Sequence, residues 1–342
     1  MFDSIGRKRP EVLLALGRAL SRSGKFLDAD EVLQDALDQA TETNSEATSA
    51  RALVELSYSR THVDPTVSVE EMQRVAERAI GVFERLGDEA GMSRAWLHIA
   101  LGHWIRSDCT AMEAALERAL EHAERSGERG DRSQILSDLA RTTVMGPLEV
   151  EQGIERCRFV LARAEGDVAA TAFAEAMRAV LEAMGGRFDD ARVRWARSKA
   201  RLAEMGLTVS VAVIQMYYGF IELLAGEPER AVPEVGEACA TFERIGSSGH
   251  LSSAAGLAAR LAYASGGYDA CDRFCRTSRD AAHRDDLVSQ VLWRSTYAKL
   301  LARAGDTAAA EEMIDGAVAR ADDTDFLMLQ GDAHQLRSIV RI

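Results

Sequence analysis

Hydrophobic residues recur along most of the chain at the i, i+3, i+4, i+7 spacing of an amphipathic helix. Leu13, Leu16 and Leu20 share one face of residues 12–21, and residues 28–40 repeat the pattern. Strict alternation of apolar and polar residues, which would indicate a strand exposed on one side, is not found over any comparable length. The pattern therefore predicts a chain built almost entirely of helices.

Two interleaved series of turn residues divide these helices at a period of about 40 residues. The first series consists of glycines that each follow a helical stretch, where glycine can take the left-handed conformation that ends a helix. Its members are Gly87, Gly127, Gly166, Gly206 and Gly246. In the second series an acidic residue or a proline follows the clearest members and suits the start of the next helix. Its members are Gly24, Asp64, Ser107, Gly146, Gly186, Gly226, Gly266 and Gly305.

Two turn series of equal period imply two helices per unit. The sequence thus predicts an all-α superhelix, a solenoid of about eight helical hairpins, with helix in more than three-quarters of the residues and no sheet. We expect a leader at 1–10, the repeat array at 11–326, and a segment at 327–342 that is either a capping helix or the first helix of a truncated ninth repeat. The expected particle is elongated and curved, with an open groove along its inner face.

The hairpins resemble the tetratricopeptide repeat, in which a small residue lies where the two helices touch and an alanine lies early in the second helix. Gly17 with Ala29 and Gly219 with Ala231 fit this pattern, each pair twelve residues apart. The same offset joins looser pairs in other units, namely Ala100/Met112, Ala179/Ala191, Ala259/Cys271 and Ala298/Ala310. The period near 40, rather than the usual period of about 34, is similar to the repeat regions of bacterial signalling ATPases, including cyclase-linked and LuxR-type regulators. That resemblance implies a sensing or interaction module.

Composition narrows the classes of partner. A formal net charge of −13 without a lysine/arginine block argues against direct nucleic-acid binding. The sequence suggests no run of 18 apolar residues that would span a membrane, and Met1 to Pro10 has no apolar segment for secretion, so a cytoplasmic location is expected. Five cysteines, an odd number in a chain of this size, favour buried thiols over disulfides.

The sequence contains no recognisable catalytic, nucleotide-binding or metal-binding motif. There is no phosphate-binding glycine loop, and His98 and His103 lack zinc-site spacing. Cys271 and Cys275 lie on one helical face but occupy packing positions, and the serines of the Gly246–His250 segment suit a helix cap better than a nucleophile. Cys109 is expected in a turn, where it would react first. We expect no cofactor, no metal and no catalytic residues.

Carrying one helical face from unit to unit predicts the residues of the concave groove. They are Arg18, Thr61, Leu101, Trp104, Met145, Met216, Phe220, Arg260, Tyr263 and Lys299. Trp104, Phe220 and Tyr263 are the expected anchors, because aromatic side chains dominate many binding interfaces; each fits the core between helices equally well. The sequence thus predicts a non-catalytic module that binds a protein or peptide, as the sensor or interaction part of a bacterial signalling or transcription regulator. A stand-alone assembly scaffold and a receptor for a small effector or signalling peptide remain alternatives, and homo-oligomer formation stays open.

Overall fold

The computed structural model describes residues 9–64 and 66–340. Helices account for 84% of the residues, and the described part contains no strand, which confirms the predicted all-α fold. Most of the predicted leader at 1–10 lies outside the described residues. The α-helices are α1 (Pro10–Arg22), α2 (Phe26–Glu42), α3 (Glu46–Val63), α4 (Val69–Leu86), α5 (Glu89–Ile105), α6 (Cys109–Ser126), α7 (Arg129–Met145), α8 (Val150–Arg163), α9 (Val168–Met184), α10 (Phe188–Glu204), α11 (Thr208–Ala225), α12 (Val232–Arg244), α13 (Ser248–Ala264), α14 (Tyr268–Ala281), α15 (Leu287–Arg303), α16 (Thr307–Asp322) and α17 (Leu327–Val340).

Consecutive helices pair into eight antiparallel hairpins, and a short 3₁₀ turn at Pro228–Arg230 precedes α12. The odd-numbered helices contact one another in order from α1 to α17 and form the inner layer, while the even-numbered helices lie outside them. The final helix, α17, packs against α15 and α16. The inner helices therefore share one continuous surface, to which each hairpin contributes one helix.

The turns between helices follow both predicted series. Among the residues that the structure describes, ten glycines have positive φ, and they are all the glycines of the two series except Gly146, whose backbone is extended. At Gly87 and Gly226 the residue caps its helix in the left-handed conformation, which a side chain would make costly. Ser107 takes the same conformation where the series lacks a glycine, and Asn44 does so in the first turn between hairpins.

Close contact between the two helices of a hairpin explains the small residues of the repeat. A Cβ atom added to Gly17 would lie 2.5 Å from the Leu33 side chain, and one added to Gly219 would lie 3.2 Å from Val235 of the same hairpin and 2.8 Å from Leu257 of the next inner helix. Ala29 and Ala231, the paired alanines, are completely buried. The residues that carry the resemblance to the tetratricopeptide repeat thus lie where the helices touch.

The superhelix closes on itself, because units far apart in sequence meet along a seam. Helix α13 contacts α3, and Ser248 Oγ donates a hydrogen bond to the His62 carbonyl at 3.0 Å. Nε2 of His283 bonds to the Val67 carbonyl. One hairpin further along the seam, the Asp325 carboxylate accepts bonds from the first residues of α6. One superhelical turn therefore takes about five hairpins.

Closure makes the molecule compact. Its accessible surface is 14881 Å², close to the roughly 14,000 Å² expected of a compact monomer of its mass. The prediction of an elongated particle with an open groove is therefore wrong, although the repeats themselves are as predicted. The difference arises because the small rotation between successive hairpins accumulates until α13 reaches α3.

Helix α11 (Thr208–Ala225) is long and apolar enough to meet the length and composition criteria for a membrane span, although it is not an unbroken apolar run, since it includes Ser210, Gln215 and Glu222. In the structure it is a central helix of the array, with more than half of it buried, and it contacts α9, α12 and α13. A core helix buried on several sides is hydrophobic nearly all round, which accounts for its composition.

Candidate ligand-binding cavity

The closed inner layer surrounds a cavity of about 440 Å³. Its wall is formed mainly by side chains of the inner helices α3, α5, α7, α9, α11, α13 and α15, so nearly every hairpin contributes. Protein sites for small molecules commonly enclose about 300–1,000 Å³. The cavity is therefore large enough for one small molecule or part of a short peptide.

Aromatic and thioether side chains form much of the wall. Trp104, Phe173 and Phe220 line the cavity together with Met145 and Met216. Methionine is flexible and polarisable, so it adapts to ligands of irregular shape. This part of the wall would suit the apolar portion of a ligand.

A charged pair on α7, Arg141 and Asp138, lies among these apolar groups. Nη2 of Arg141 is 3.3 Å from Oδ1 of Asp138, and each side chain is only 14% exposed. Burial raises the pKa of Asp138, and the nearby Arg141 offsets this only in part. Burial opposes the charge of Arg141, but Asp138 together with Tyr217, Tyr58 and Cys109 outweighs burial and raises the pKa of the guanidinium. The cavity thus holds a buried cation beside a carboxyl group whose pKa is raised.

A second ionic network closes one side of the cavity. Arg94 donates from Nε and Nη2 to the two carboxylate oxygens of Glu55, at 2.7 and 2.8 Å. Asp131 accepts from Arg18 at 2.9 Å and from Arg22 at 2.8 Å. Burial opposes ionisation of Asp131, yet Arg94, Arg18 and Arg22 outweigh it and lower its pKa. These charges satisfy one another and join the first hairpin to the fourth.

Neutral histidines lie where the seam borders the cavity. The His62 ring stacks on Phe26 with centroids 4.2 Å apart and lies 5.5 Å from the His250 ring, which stacks on Phe242. Burial and, to a smaller extent, Arg94 lower the pKa of His62 to about 4, although the bond that Nδ1 donates to the Tyr58 carbonyl opposes this shift. Burial also lowers the pKa of His250 well below its usual value. Both imidazoles are therefore uncharged at neutral pH.

The predicted groove residues separate into two groups in the structure. Six of the ten line the cavity: Thr61, Leu101, Trp104, Met145, Met216 and Phe220. Four do not, namely Arg18, Arg260, Tyr263 and Lys299. Arg18 belongs to the network with Glu55 and Asp131, which occupies its donors.

The other three lie towards the C-terminal end of the array. Arg260 Nη2 donates to Asp332 of α17 at 2.8 Å. Lys299 Nζ lies 4.1 Å from the centre of the Tyr263 ring, and burial lowers the Lys299 pKa to about 8, with Arg260 adding to the effect. Tyr263 packs edge-on against Tyr268. Arg260 is thus paired with α17, whereas Lys299 and Tyr263 contact groups of the neighbouring repeat helices.

Sequence reasoning missed the polar centre of the cavity, Arg141 and Asp138. Both lie on the inner face of α7, and Arg141 precedes the correctly placed Met145 by four residues. That i, i+4 spacing was the available signal. It was overlooked because a charged residue on a helix is usually solvated, and only the closed superhelix places this one in an interior.

The cysteines are all buried and form no disulfide. Cys109 begins α6 instead of lying in a turn, and its Sγ donates to the Met145 carbonyl at 3.2 Å. Burial and the Asp325 carboxylate raise its pKa. The expectation that Cys109 lies in a turn is therefore wrong, and its burial and raised pKa oppose the expected early reaction. Cys271 and Cys275 are buried in the core, as their packing positions predicted.

Within the described ranges, no group of three histidine, cysteine, aspartate or glutamate side chains could hold a metal ion. His98, one of the histidines considered for zinc, bonds through Nε2 to Ser57 Oγ at 2.9 Å, and burial lowers its pKa to about 3. Ser247 precedes α13 and bonds to His250 Nδ1 at 2.9 Å, without a side-chain bond to the helix backbone.

No protein-family model and no curated protein sequence matches the chain. Solved structures do resemble it. The Rap protein complexed with Competence and Sporulation Factor superposes with a TM-score of 0.59 over 97% of both chains, at 12% identity. The chain shares its helical-repeat fold. The apo form of RapI matches over 97% of both chains at 12% identity with a TM-score of 0.48. BtubC (BKLC) from P. vanneervenii matches 63% of this chain and 91% of its own at 15% identity, with a TM-score of 0.43.

Proposed function

We propose that this chain is a non-catalytic receptor module that binds one small effector or short peptide in its closed interior. The observation that carries the proposal is the cavity of about 440 Å³, with its aromatic and methionine wall and the Arg141–Asp138 pair inside it. Concave, mostly apolar sites with a few converging polar groups are the usual form of ligand sites.

The closed seam favours a small ligand over a folded protein inside the array. A whole helix or domain would require α3 and α13 to separate, with loss of the bonds at Ser248 and His283. A protein partner would therefore bind on the outer surface, and its affinity would depend on whether the contacts between α3 and α13 are closed. The Rap structure with a TM-score of 0.59 holds Competence and Sporulation Factor, which supports a signalling ligand for this architecture.

The resemblance of the long repeats to those of bacterial signalling ATPases supports a place within a signalling or transcription regulator. In that setting the chain would act in the cytoplasm and would pass ligand occupancy to an output on another segment or another chain. Ligand binding would stabilise the closed state by an amount that depends on its preference for that state.

A neutral apolar dye tests the interior without presuming the charge of the natural ligand. Nile red should bind with one-to-one stoichiometry and gain fluorescence. Ser137→Trp should abolish binding, because Ser137 lines the cavity and its hydroxyl only bonds to the Ser133 carbonyl within α7. The matched control is Ser338→Trp, since Ser338 is exposed on α17 and makes the same kind of bond to the Gln335 carbonyl.

Retained binding in the control and lost binding in Ser137→Trp, with both variants folded by circular dichroism, would support the proposal. Absence of dye binding to the unaltered protein would contradict an accessible interior. Equal binding by both tryptophan variants would place the dye on the outer surface and favour the scaffold alternative.

A further inference from the structure

Three arginines line the cavity in the described part of the chain, and their partners differ. Arg94 is held by both carboxylate oxygens of Glu55, and Arg22 bonds to Asp131. Arg141 has a contact of 3.3 Å with Asp138, and its buried Nε has no hydrogen-bond partner among the described residues. Arg22 is 46% exposed, so its remaining donors can bond to water, whereas Arg141 is 14% exposed. Of the three, Arg141 is therefore the buried cation with a donor available to a ligand.

The Arg141 guanidinium is held in place by aromatic rings. Its central carbon lies 4.9 Å from the centre of the Trp104 ring and 5.5 Å from that of Phe173. Stacking on aromatic faces fixes the plane of the guanidinium without using its N–H groups. The donors are thus oriented before any ligand arrives, which lowers the entropic cost of binding.

We propose that the cavity binds an apolar molecule that ends in a single carboxylate, with the carboxylate on Arg141 and the apolar body against Trp104, Met145, Met216 and Phe220. This inference rests on the proposed function and specifies the ligand class. A planar guanidinium matches a carboxylate through two parallel hydrogen bonds. The methionines adapt to the shape of the body.

Asp138 does not prevent this binding. Burial raises the pKa of Asp138, so its charge is less costly to neutralise than that of an exposed aspartate when a second carboxylate approaches. A cationic ligand is less well served, because the charge of Asp138 is already compensated by Arg141. Arg141 is therefore better suited to exchanging its contact with the Asp138 carboxylate for a contact with the carboxylate of a ligand.

The same chemistry can come from two sources, a free apolar acid or the C-terminus of a short apolar peptide. Displacement of Nile red by decanoate represents the first, with decanol as its uncharged counterpart. Displacement by trileucine represents the second, with C-terminally amidated trileucine as its counterpart. Each acid should bind more tightly than its uncharged counterpart, and the tighter of the two acids identifies the source.

Variants of the charged pair test the role of Arg141. Arg141→Gln should weaken decanoate binding by about ten- to a hundredfold, the effect of losing hydrogen bonds to a charged group, and should leave decanol binding unchanged. Arg141→Lys should retain part of the preference for decanoate. Asp138→Asn should tighten decanoate binding by about fivefold or more, because one like charge at close range is removed.

Each outcome separates this inference from the function on which it rests. If Nile red binds inside the cavity but decanoate and decanol bind equally, the ligand class is wrong and the receptor function stands. Equal weakening of decanoate and decanol by Arg141→Gln would give Arg141 a structural role only. Should that variant fail to fold, Asp138→Asn still decides, because unchanged or weaker decanoate binding would overturn the proposal.

Discussion

Replacing Asp325 by alanine should destabilise the middle of the chain as well as its end. Asp325 lies between α16 and α17, and its carboxylate accepts bonds from Cys109 N at 2.7 Å, Thr110 N at 2.7 Å and Thr110 Oγ1 at 2.6 Å. These residues begin α6, in the third hairpin. The side chain thus caps a helix from more than 200 positions away.

The magnitude follows from what alanine leaves unbonded. Loss of a helix-capping side chain costs about 0.5–2 kcal/mol, and an unsatisfied buried N–H costs about 1–3 kcal/mol. Cys109 is buried, whereas exposed Thr110 can bond to water instead. We therefore expect a loss of about 2–3 kcal/mol in the free energy of unfolding. At about 2.1 cal/mol/K per residue, this lowers Tm by about 3–4 °C.

Hydrogen exchange with thermal unfolding measures both the size and the place of the effect. Asp325→Ala should increase exchange in the turn between α5 and α6 and in the loop before α17. The control is Asp108→Ala, which removes a bond to Ala111 N at 3.0 Å from the same end of α6 but from within its own hairpin. If Asp325→Ala affects only α17, and the turn between α5 and α6 keeps its protection, the seam does not form in solution.

Stability should fall as the pH drops from 6.5 towards 4, because burial lowers the pKa values of His62 and His98 to about 4 and 3, so the unfolded chain binds protons that the folded chain does not. Each histidine should account for a loss of about 2–3 kcal/mol in the free energy of unfolding by pH 4.5. If urea unfolding shows that His62→Phe has the same dependence of stability on pH as the unaltered protein, this is contradicted for His62. Gly17→Ala should destabilise the protein by about 1–3 kcal/mol by overpacking. Gly81→Ala, with nothing within 4 Å of the new methyl, should stabilise it by up to about 1 kcal/mol. If urea unfolding shows Gly17→Ala to be the more stable of the two variants, the close contact between α1 and α2 at Gly17 is refuted. Cys109 should react with Ellman's reagent as slowly as the other buried thiols, and rapid labelling would show that the start of α6 is open.

The repeats could be predicted because their signals are local. A glycine that ends a helix and an alanine that packs between two helices act within one hairpin, so their spacing shows the period directly. Gly17 and Ala29 illustrate this, since both contact regions lie within a single hairpin. Even the exceptions were local, because Ser107 adopts the left-handed turn in place of glycine.

Closure could not be predicted because it depends on the accumulated rotation of about five hairpins. A small error in each step would move α13 away from α3. The bonds that fix the seam, such as those of Ser248 and Asp325, join residues separated by 186 and more positions. Their side chains look like ordinary turn and cap residues in the sequence.

The candidate site could be predicted only in part, because the positions of its residues on single helices are local features whereas their enclosure is not. Carrying one helical face along the units placed Trp104 and Phe220 correctly on the inner surface. It could not show that α17 covers Arg260 or that α7 reaches Arg18. It also gave no weight to Arg141, whose importance arises from enclosure.

The closed superhelix is the claim on which the cavity and its ligand depend, and small-angle X-ray scattering tests it most directly. A compact chain of 342 residues should give a radius of gyration of about 20 Å. Eight hairpins stacked in an open row at about 8–10 Å per helix spacing would extend for about 80 Å and give about 25 Å. A value near 20 Å is the result that closure predicts, and a value near 25 Å for the monomer would contradict it.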